Sequence, residues 1–521
     1  MTRAEQHDGT TGAPATTVNP ADLNRRAFLA ASGALLTAGH ASQAGARPPL
    51  AAPDERDWTL HAGCALVTDA SGAVAKLERN VHLLIRDGRI EAIRSRPFRE
   101  SVPHVDCSRE LLLPGFISGH THCCSATPTR GIIEGGRSYA RPLELVERLS
   151  DDELDAVTAL NLAELIRSGC TTQIEMSLSH RQAESYARVA TRLGARGYPG
   201  SMIPAIDRLF PIWFRQDESV LAGSEAGTLA EIARSLDYGR RLMDAGGGLL
   251  RPMMSPHACD THTEATLKAI GAAARELGTG LHIHLSQGER ETATVRRLHG
   301  RTPTQWLDSL GLLEIGPVFG AHMSGLDWSV DPAILRARGV VYAHCPSAGG
   351  AGGATQPYPE ALAAGLSVNI AIDTHSNDYL ENLKLAVLLG QARHELARIP
   401  GTGRATVAPT IRGAVDAATV VPARALQRDD LGRIAPAAQA DLVSIDVSGP
   451  LVGSGALPPE PLNNLLYANG RMVRTVMTAG RLQVRDGVFV AADAERLLAD
   501  GGAVARNLWS RLADEGWFRA G

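Results

Sequence analysis

Apolar residues in the middle of this chain form short runs that alternate with helical patterns. The runs include LLRPMM, LHIHL, PVFGAHM, VVYAHC and LSVNIAID, and alanine-rich stretches such as TEATLKAIGAAAREL separate them. Alternating strands and helices are typical of a parallel sheet. We therefore predict an α/β fold with a (β/α)8 TIM barrel over residues 114–428. A doubly wound open sheet has a similar periodicity, and the pattern alone leaves that alternative open.

The two regions that flank this centre have the alternating pattern of half-buried β-strands. Asp-Gly pairs at 87–88 and 486–487 indicate tight hairpin turns in both regions. We predict one small β-sandwich built from both ends of the mature chain, residues 57–113 and 429–490. The last segment, residues 491–521, predicts a C-terminal surface helix whose tryptophans pack on the body.

The start of the chain has the pattern of an export signal. Arg25 and Arg26 precede a short run of small apolar residues that ends in Ala44-Gly45-Ala46. The run is too short to cross a bilayer comfortably and ends in small residues, as cleavable signals do. Residues 1–46 therefore resemble a twin-arginine-type signal peptide behind a disordered n-region. This resemblance implies the twin-arginine export machinery as a partner and a periplasmic or extracellular location. We expect no stable membrane span elsewhere.

Composition narrows the choice of partners and cofactors. The chain has 521 residues, of which 44% are hydrophobic and 21% charged, and a formal net charge of −4. It contains no basic stripe that would predict a nucleic-acid partner. The seven cysteines include no CxxC pair, and an odd number of them argues against a disulfide framework. A small-molecule substrate is the expected partner, and self-association into a homo-oligomer is left open.

Two histidines one residue apart mark the first candidate site, in the segment LLLPGFISGHTHCC at residues 111–124. Residues i and i+2 of a strand point to the same side, so His120 and His122 are predicted to project together. Later predicted strands also end in metal-binding residue types. These are His257, His282, His284, His322, Asp373 and His375. Because barrel active sites lie at the carboxyl ends of strands, the set predicts one metal centre.

The ordered segments also resemble a known family. LLLPGFISGHTH, AELIRSGCTTQIEM, SPHA, LHIHL, GAHM and IAID occur in its order, and AAQADLVSID and VRTVMTAGRLQVRDG resemble its closing β segments. The chain is similar to the metal-dependent amidohydrolase superfamily, in the branch of cytosine and guanine deaminases and triazine chlorohydrolases. The resemblance implies a hydrolase acting on carbon–nitrogen bonds other than peptide bonds. The expected reaction is hydrolytic deamination of a heterocyclic amidine, or hydrolysis of a cyclic amide.

The resemblance also assigns roles to individual residues. The implied metal ligands are His120, His122, His284 and Asp373. The implied catalytic residues are His322 and Asp373, and the implied substrate contact is His257. By their positions at the same strand ends, Gln287 is a further catalytic and substrate-binding candidate, and His375 is a further substrate-binding candidate. His282 fits a supporting or core position better than a ligand, and His375 either lines the pocket or lies in a loop.

The expected cofactor is one divalent metal ion, Zn²⁺ first and Fe²⁺ as the alternative. Two-metal members of the superfamily use a carboxylated lysine at the fourth strand. The corresponding segment here, LLRPMMSPHACD, contains no lysine. A single ion that activates water for attack on a ring carbon is therefore expected.

Two departures from the family pattern affect the predicted chemistry. Gln287 stands where the deaminases usually have a glutamate that carries a proton to the leaving amine, and an amide cannot do this. Glu289 or Glu291 could replace it, although both also fit solvated loop charges, Glu291 more so. The glycine-rich segment HCPSAGGAGGA replaces an Asn-Pro-x-Ser-Asn-like loop and predicts a flexible rim.

Gln287 leaves two alternative functions open for this protein. One is hydrolytic displacement of chloride or alkylamine from a triazine-like ring. The other is a catalytically weak barrel that binds a metal and a ligand.

Overall fold

The computed structural model describes residues 55–69, 75–132, 138–215, 217–245, 248–352, 355–374, 376–399 and 403–519. The predicted signal peptide at residues 1–46 and the candidate substrate contact His375 lie outside the described residues.

Sixteen strands are described. They are β1 (Trp58–Thr68), β2 (Ala75–Arg86), β3 (Arg89–Arg94), β4 (His104–Pro114), β5 (Phe116–Thr121), β6 (Cys170–Ser177), β7 (Arg196–Ile203), β8 (Ser255–Pro256), β9 (Leu281–Leu285), β10 (Val318–His322), β11 (Val341–His344), β12 (Ser367–Ile370), β13 (Leu442–Ile445), β14 (Val473–Thr478), β15 (Arg481–Arg485) and β16 (Val488–Phe489).

The described α-helices follow the strands of the central region and close the chain. They are α1 (Ala126–Thr129), α2 (Ala140–Glu147), α3 (Asp151–Arg167), α4 (His180–Leu193), α5 (Ile206–Arg215), α6 (Glu218–Asp244), α7 (Glu264–Leu277), α8 (Glu289–His299), α9 (Pro303–Ser309), α10 (Asp331–Arg338), α11 (Pro346–Ala351), α12 (Tyr358–Ala363), α13 (Tyr379–Ala397), α14 (Ile411–Ala418), α15 (Val420–Ala425) and α16 (Ala494–Asp514).

Eight parallel strands form the central sheet in chain order. Strands β5 to β8 make one four-stranded sheet and β9 to β12 another. Isolated parallel bridges connect β8 to β9 at Met254–Leu281 and Ala258–His284, and Thr121–Asp373 connects the last strand region to β5. The strand order never reverses, as it would in a doubly wound open sheet. The expected α/β fold with a curled parallel sheet is therefore present.

A second sheet of eight strands combines the two flanking regions. Its order is β16-β15-β14-β13-β4-β1-β2-β3, so the chain ends meet where β4 pairs with β13. Leu113 lies opposite Val443 in that antiparallel pair. The flanks thus join in one hydrogen-bonded sheet, and its folding into a two-layer sandwich stays a prediction.

A buried ion pair fastens this second sheet to the curled one. Nε of Arg196, on β7, lies 2.8 Å from an oxygen of Asp441, which precedes β13. The two side chains are only 2% and 4% exposed. Such a pair is costly to break because the remaining charge would stay buried without a partner.

The last long helix packs across α3. Gly501 of α16 makes this possible, because a Cβ at that position would meet the Leu160 side chain at 2.9 Å. The indole of Trp509 donates a hydrogen bond to the Pro128 carbonyl oxygen at 3.0 Å. Trp517 packs against the cluster of buried apolar side chains that joins α16 to α3. Within the described ranges, no helix combines the length and the hydropathy needed to cross a bilayer.

Candidate metal centre

Four candidate ligands from three distant parts of the chain converge at the carboxyl ends of the parallel strands. Asp373 Oδ1 lies 3.4 Å from Nε2 of His122 and 3.8 Å from Nε2 of His120. One nitrogen each from His120, His284 and His322 also lie within 4.8 Å of one another. All four histidines are buried. The structure therefore brings together the residues for which the sequence predicted a metal centre.

Backbone carbonyl groups orient two of these imidazoles. Nδ1 of His122 lies 2.6 Å from the Met176 carbonyl oxygen, and Nδ1 of His284 lies 2.8 Å from that of His257. A carbonyl oxygen only accepts hydrogen bonds, so both Nδ1 atoms carry the proton. Nε2 of each ring is then the lone-pair nitrogen, which is the form that ligates a metal.

His120 gives the clearest sign that a cation belongs here. Its Nδ1 lies 2.7 Å from Nε2 of His282, while its own Nε2 is buried without a hydrogen-bond partner among the described residues. Burying a polar nitrogen without a partner costs free energy. A divalent ion would satisfy that nitrogen, and three imidazoles with one carboxylate form a donor set that suits zinc. His282 lies beneath His120 in a supporting position, as the sequence analysis favoured.

The backbone is strained where two of the site residues leave their strands. Asp373 and His322 have φ angles of 64° and 74°, in the left-handed region that residues with a Cβ seldom adopt. The amides of Ile372 and Asp373 both donate to the His120 carbonyl oxygen, at 3.2 and 3.0 Å. These bonds hold β12 against β5 and fix the direction of the Asp373 side chain. Strain of this kind persists where the surrounding structure holds it in place, often at functional sites.

Burial keeps the histidines of the centre neutral. It lowers the pKa of His120, His257 and His282 well below the ordinary value, with neighbouring imidazoles adding to the effect. Burial also lowers the pKa of His284 to about 4. Neutral imidazole is the form that binds a metal, so the local environment favours ligation near neutral pH.

Glu175 of β6 supports the two-histidine turn and was not among the predicted site residues. Its carboxylate accepts hydrogen bonds from Thr121 Oγ1 at 2.7 Å and from the Cys123 amide at 3.0 Å. Burial raises its pKa to about 7. A lone glutamate inside the buried segment CTTQIEMS is the signal that could have identified it.

A cavity of about 610 Å³ opens above the ligands. Its polar side, here called the histidine floor, consists of His122, His257, His284, His322 and Asp373. Its other side, here called the apolar wall, consists of Tyr139, Leu143, Leu178, Met202, Ile206, Leu209 and Trp213. Among the described lining residues, Asp373 is the one carboxylate, and none is a lysine or arginine. The cavity therefore suits a neutral ligand with an apolar part.

Gln287 lines this cavity, and its predicted role in catalysis and substrate binding stays a prediction. The expectation that Glu291 is a solvated loop charge was wrong. Glu291 is 4% exposed and accepts the backbone N–H of Gln287 at 2.7 Å. It is therefore a buried support for the Gln287 segment rather than a solvated loop charge, and burial raises its pKa to about 8. The physical reason is that α8 begins at Glu289 and turns Glu291 inward, while Glu289 itself is exposed.

Gln356 is the other site residue that the sequence analysis missed. It lines the cavity, and its side-chain amide lies 3.1 Å from Nδ1 of His322. The residue follows a glycine-rich segment without hydrophobic periodicity, so no pattern in the sequence indicated its position.

Histidines at two strand ends, with an aspartate after a later strand at the bottom of a cavity, are typical of a metal-dependent hydrolase of the α/β class. A family model described as "Amidohydrolase family" matches residues 111–483, and the chain belongs to that family. It is accordingly a hydrolase that acts on carbon–nitrogen bonds other than peptide bonds.

Curated relatives and solved structures agree with this class. A 5-methylthioadenosine/S-adenosylhomocysteine deaminase of Desulfitobacterium hafniense is 29% identical over 406 residues, which are 75% of this chain and 85% of that protein. An adenosine deaminase from Xanthomonas campestris with bound zinc superimposes with a TM-score of 0.71 at 22% identity, covering 88% of this chain and 100% of that one. The atrazine chlorohydrolase of Arthrobacter aurescens TC1, complexed with zinc, gives a TM-score of 0.71 at 19% identity over 86% of this chain and 100% of that one.

Proposed function

We propose that this protein deaminates a neutral heteroaromatic ring by hydrolysis at a single zinc ion. The observation that carries the proposal is that His120 shares one candidate metal cluster with His122 and Asp373 and a second with His284, beneath a cavity. A curated relative is named 5-methylthioadenosine/S-adenosylhomocysteine deaminase, which supports a ring-bound amine as the leaving group.

The proposed metal ligands are those four side chains, with Fe²⁺ as the alternative ion. When bound there, the metal supplies Lewis acidity, which makes water a nucleophile near neutral pH. Water adds to the ring carbon that bears the amine, and Asp373 receives a proton from it. That proton then goes to the amine, the carbon–nitrogen bond breaks, and ammonia leaves. The proton of the added hydroxyl group moves to the adjacent ring nitrogen as the carbonyl forms.

The remaining floor residues hold the substrate in this proposal. His322, whose Nε2 lies 3.8 Å from Asp373 Oδ2, stabilises charge that develops on the attacking oxygen. His257 and Gln287 line the cavity and contact the ring, and His375 is retained as a third proposed contact. The apolar wall contacts a hydrophobic substituent of the substrate. Since no charged group of the described wall faces the cavity, a neutral substituent is favoured.

Gln287 supports a second candidate, the displacement of chloride or alkylamine from a triazine-like ring. An amide cannot deliver a proton to a leaving amine, whereas chloride leaves as a stable anion and needs none. The likeness to an atrazine chlorohydrolase structure is one of fold and does not decide between the two reactions. The catalytically weak binding barrel is the third outcome that an experiment must separate.

Metal analysis and a substrate screen separate these outcomes. We expect about one zinc per chain, and ammonia release from at least one purine, pyrimidine or triazine. Turnover without ammonia would support the displacement reaction, and bound metal without any turnover would support the binding barrel. Gln287→Glu should raise deamination at least about tenfold if proton delivery is limiting. Glu289→Gln, at an exposed position two residues away that does not line the cavity, tests whether that carboxylate delivers the proton instead, and we expect unchanged activity.

Two further proposals concern the fold. We propose that the eight parallel strands form one closed (β/α)8 barrel, supported by the bridges that connect β8 to β9 and the last strand region to β5. We also propose that the flanking sheet bends into a β-sandwich. A crystal structure would test both.

We propose export through the twin-arginine machinery on the basis of Arg25-Arg26 and the short apolar run that follows. Fractionation of cells that express the native chain, compared with an Arg25→Lys/Arg26→Lys variant, tests this directly. Retention of both in the cytoplasm would contradict it. Self-association is also kept as a proposal, and light scattering of the purified protein would test it.

A further inference from the structure

We propose that Gln356 is a positioning residue that fixes His322 in the tautomer whose Nε2 carries the proton. His322 would then face the cavity as a hydrogen-bond donor and not as a metal ligand. The tautomer is independent of the reaction, whereas its use in catalysis rests on the function proposed above.

The orientation of the Gln356 side-chain amide follows from its contact with the backbone N–H of Cys345, which can only donate a hydrogen bond. Its Oε1 lies 2.9 Å from the backbone nitrogen of Cys345, and a backbone N–H only donates. Nδ1 of His344 lies 3.0 Å from the same oxygen. Turning the amide over would place its NH₂ group against the Cys345 N–H and lose that bond. The oxygen therefore faces Cys345, and the nitrogen faces His322.

The amide nitrogen of Gln356 determines the protonation of the His322 ring. It lies 3.1 Å from Nδ1 and donates to it, so Nδ1 is the accepting nitrogen. A neutral imidazole that accepts at Nδ1 carries its proton on Nε2. Gln356 is 7% exposed, and little water is available to replace the bond.

Comparison with the neighbouring rings shows what this achieves. His122 and His284 donate from Nδ1 to carbonyl oxygens, which leaves Nε2 with its lone pair toward the centre. His322 has the opposite arrangement, although its ring is stacked on that of His284 with a centroid distance of 5.5 Å. The hydrogen-bond partner at Nδ1 thus determines the role of each ring: a carbonyl oxygen makes His122 and His284 suitable metal ligands, and the Gln356 amide makes His322 a hydrogen-bond donor. In the proposed reaction the Nε2–H of His322 donates to the attacking oxygen.

Nitrogen-15 NMR of histidine-labelled protein measures the tautomer without any substrate. His322→Gln identifies the His322 resonances by their absence. We expect the wild-type ring to show a protonated Nε2 and an unprotonated Nδ1. Gln356→Glu, which offers an acceptor to Nδ1, should invert this pattern. A wild-type ring protonated at Nδ1, or an unchanged tautomer in Gln356→Glu, would overturn the proposal.

Kinetics provide the second readout. Gln356→Leu removes the donor, and we expect kcat to fall about 10- to 100-fold with KM changed less than about threefold. Gln483→Leu is the matched control, because Gln483 is a fully buried glutamine that donates to the carbonyl oxygens of Leu193 and Gly194, far from the cavity. It should change neither kcat nor the His322 tautomer. Equal losses in both variants would contradict a positioning role. If the tautomer is as expected but no ring substrate is hydrolysed, the proposed function fails and this inference stands.

Discussion

The two sides of the cavity are built by different means. On the histidine floor, single hydrogen bonds from behind fix the rings, such as that from His122 to the Met176 carbonyl oxygen at 2.6 Å. On the apolar wall, packing holds the side chains, with the ring centroids of Tyr139 and Trp213 6.0 Å apart. A hydrogen bond specifies direction, while apolar contact specifies mainly volume. In the proposed function, the floor therefore serves the reaction and the wall serves the choice of substrate.

The largest effect is expected from Asp373, the floor residue that we propose as both a metal ligand and a proton acceptor. Asp373→Asn should lower kcat at least about 1,000-fold, because an amide neither takes the proton nor carries the charge. Steady-state kinetics and the metal content of the purified variant measure this. Asp331→Asn is the control, since Asp331 is a buried carboxylate that lies outside the cavity. If Asp373→Asn kept activity within about tenfold of wild type, the histidine floor would not be the place where the reaction occurs.

A smaller effect is expected one layer below the floor. His282→Asn removes the ring that contacts Nδ1 of His120 at 2.7 Å. Loss of such a supporting partner typically lowers metal affinity about 10- to 100-fold. Titration with a chelator measures the change, and added zinc should restore activity. His82→Asn, at a buried histidine in β2, should leave metal affinity unaltered. Equal affinities in all three proteins would contradict the supporting role.

On the wall, Trp213→Ala should affect binding and leave the chemical step intact. Loss of part of a buried aromatic contact costs about 1–2 kcal/mol, so kcat/KM should fall roughly 10-fold through KM. Phe214→Ala is the control, because Phe214 is adjacent but 58% exposed. A fall in kcat as large as that of the floor variants would mean that the two sides are not separate in function.

The last prediction concerns stability and not turnover. Nε2 of His262 donates to the Ile203 carbonyl oxygen, and its Nδ1 lies 3.1 Å from Thr266 Oγ1. Burial lowers the pKa of His262 to about 4. The unfolded chain binds a proton below about pH 6.5 and the folded chain does not, so this histidine lowers stability as pH falls from about 6.5 to 4. Over this range the free energy of unfolding falls by about 3 kcal/mol because of this one group.

Denaturant unfolding across that pH range measures the slope. His262→Gln should flatten it by one titrating group while kcat/KM at neutral pH stays within about twofold. An identical slope in the variant would show that other groups control the acid response.

The floor could be predicted from the sequence because strands obey a simple geometric rule. His120 and His122 share a side of β5, and parallel strands present their carboxyl ends at one edge. The wall could not be predicted in this way. Its residues on α2 and α5 are apolar, as core residues are, and nothing local distinguishes a side that faces a cavity from one that faces a helix.

The charge of a side chain was a poor guide to its exposure at Glu291, where the start of the helix was not known from the sequence. Glu291 follows an exposed arginine, and the sequence alone suggests that it is solvated. The start of α8 instead directs its carboxylate inward, where it accepts the backbone N–H of Gln287. Gln356 lies far along the chain from His322, and only the folded structure reveals their contact. Long-range polar partners of this kind have no signature in the order of residues.

The pairing of Leu113 with Val443 has a consequence for how the protein is made. While a ribosome is still producing the middle of the chain, strand β4 lacks its antiparallel neighbour and presents an open edge. Such edges recruit other chains. Completion of this body must therefore wait until the last strands emerge, and a message truncated before Leu442 should yield an aggregating product with its histidines already in place.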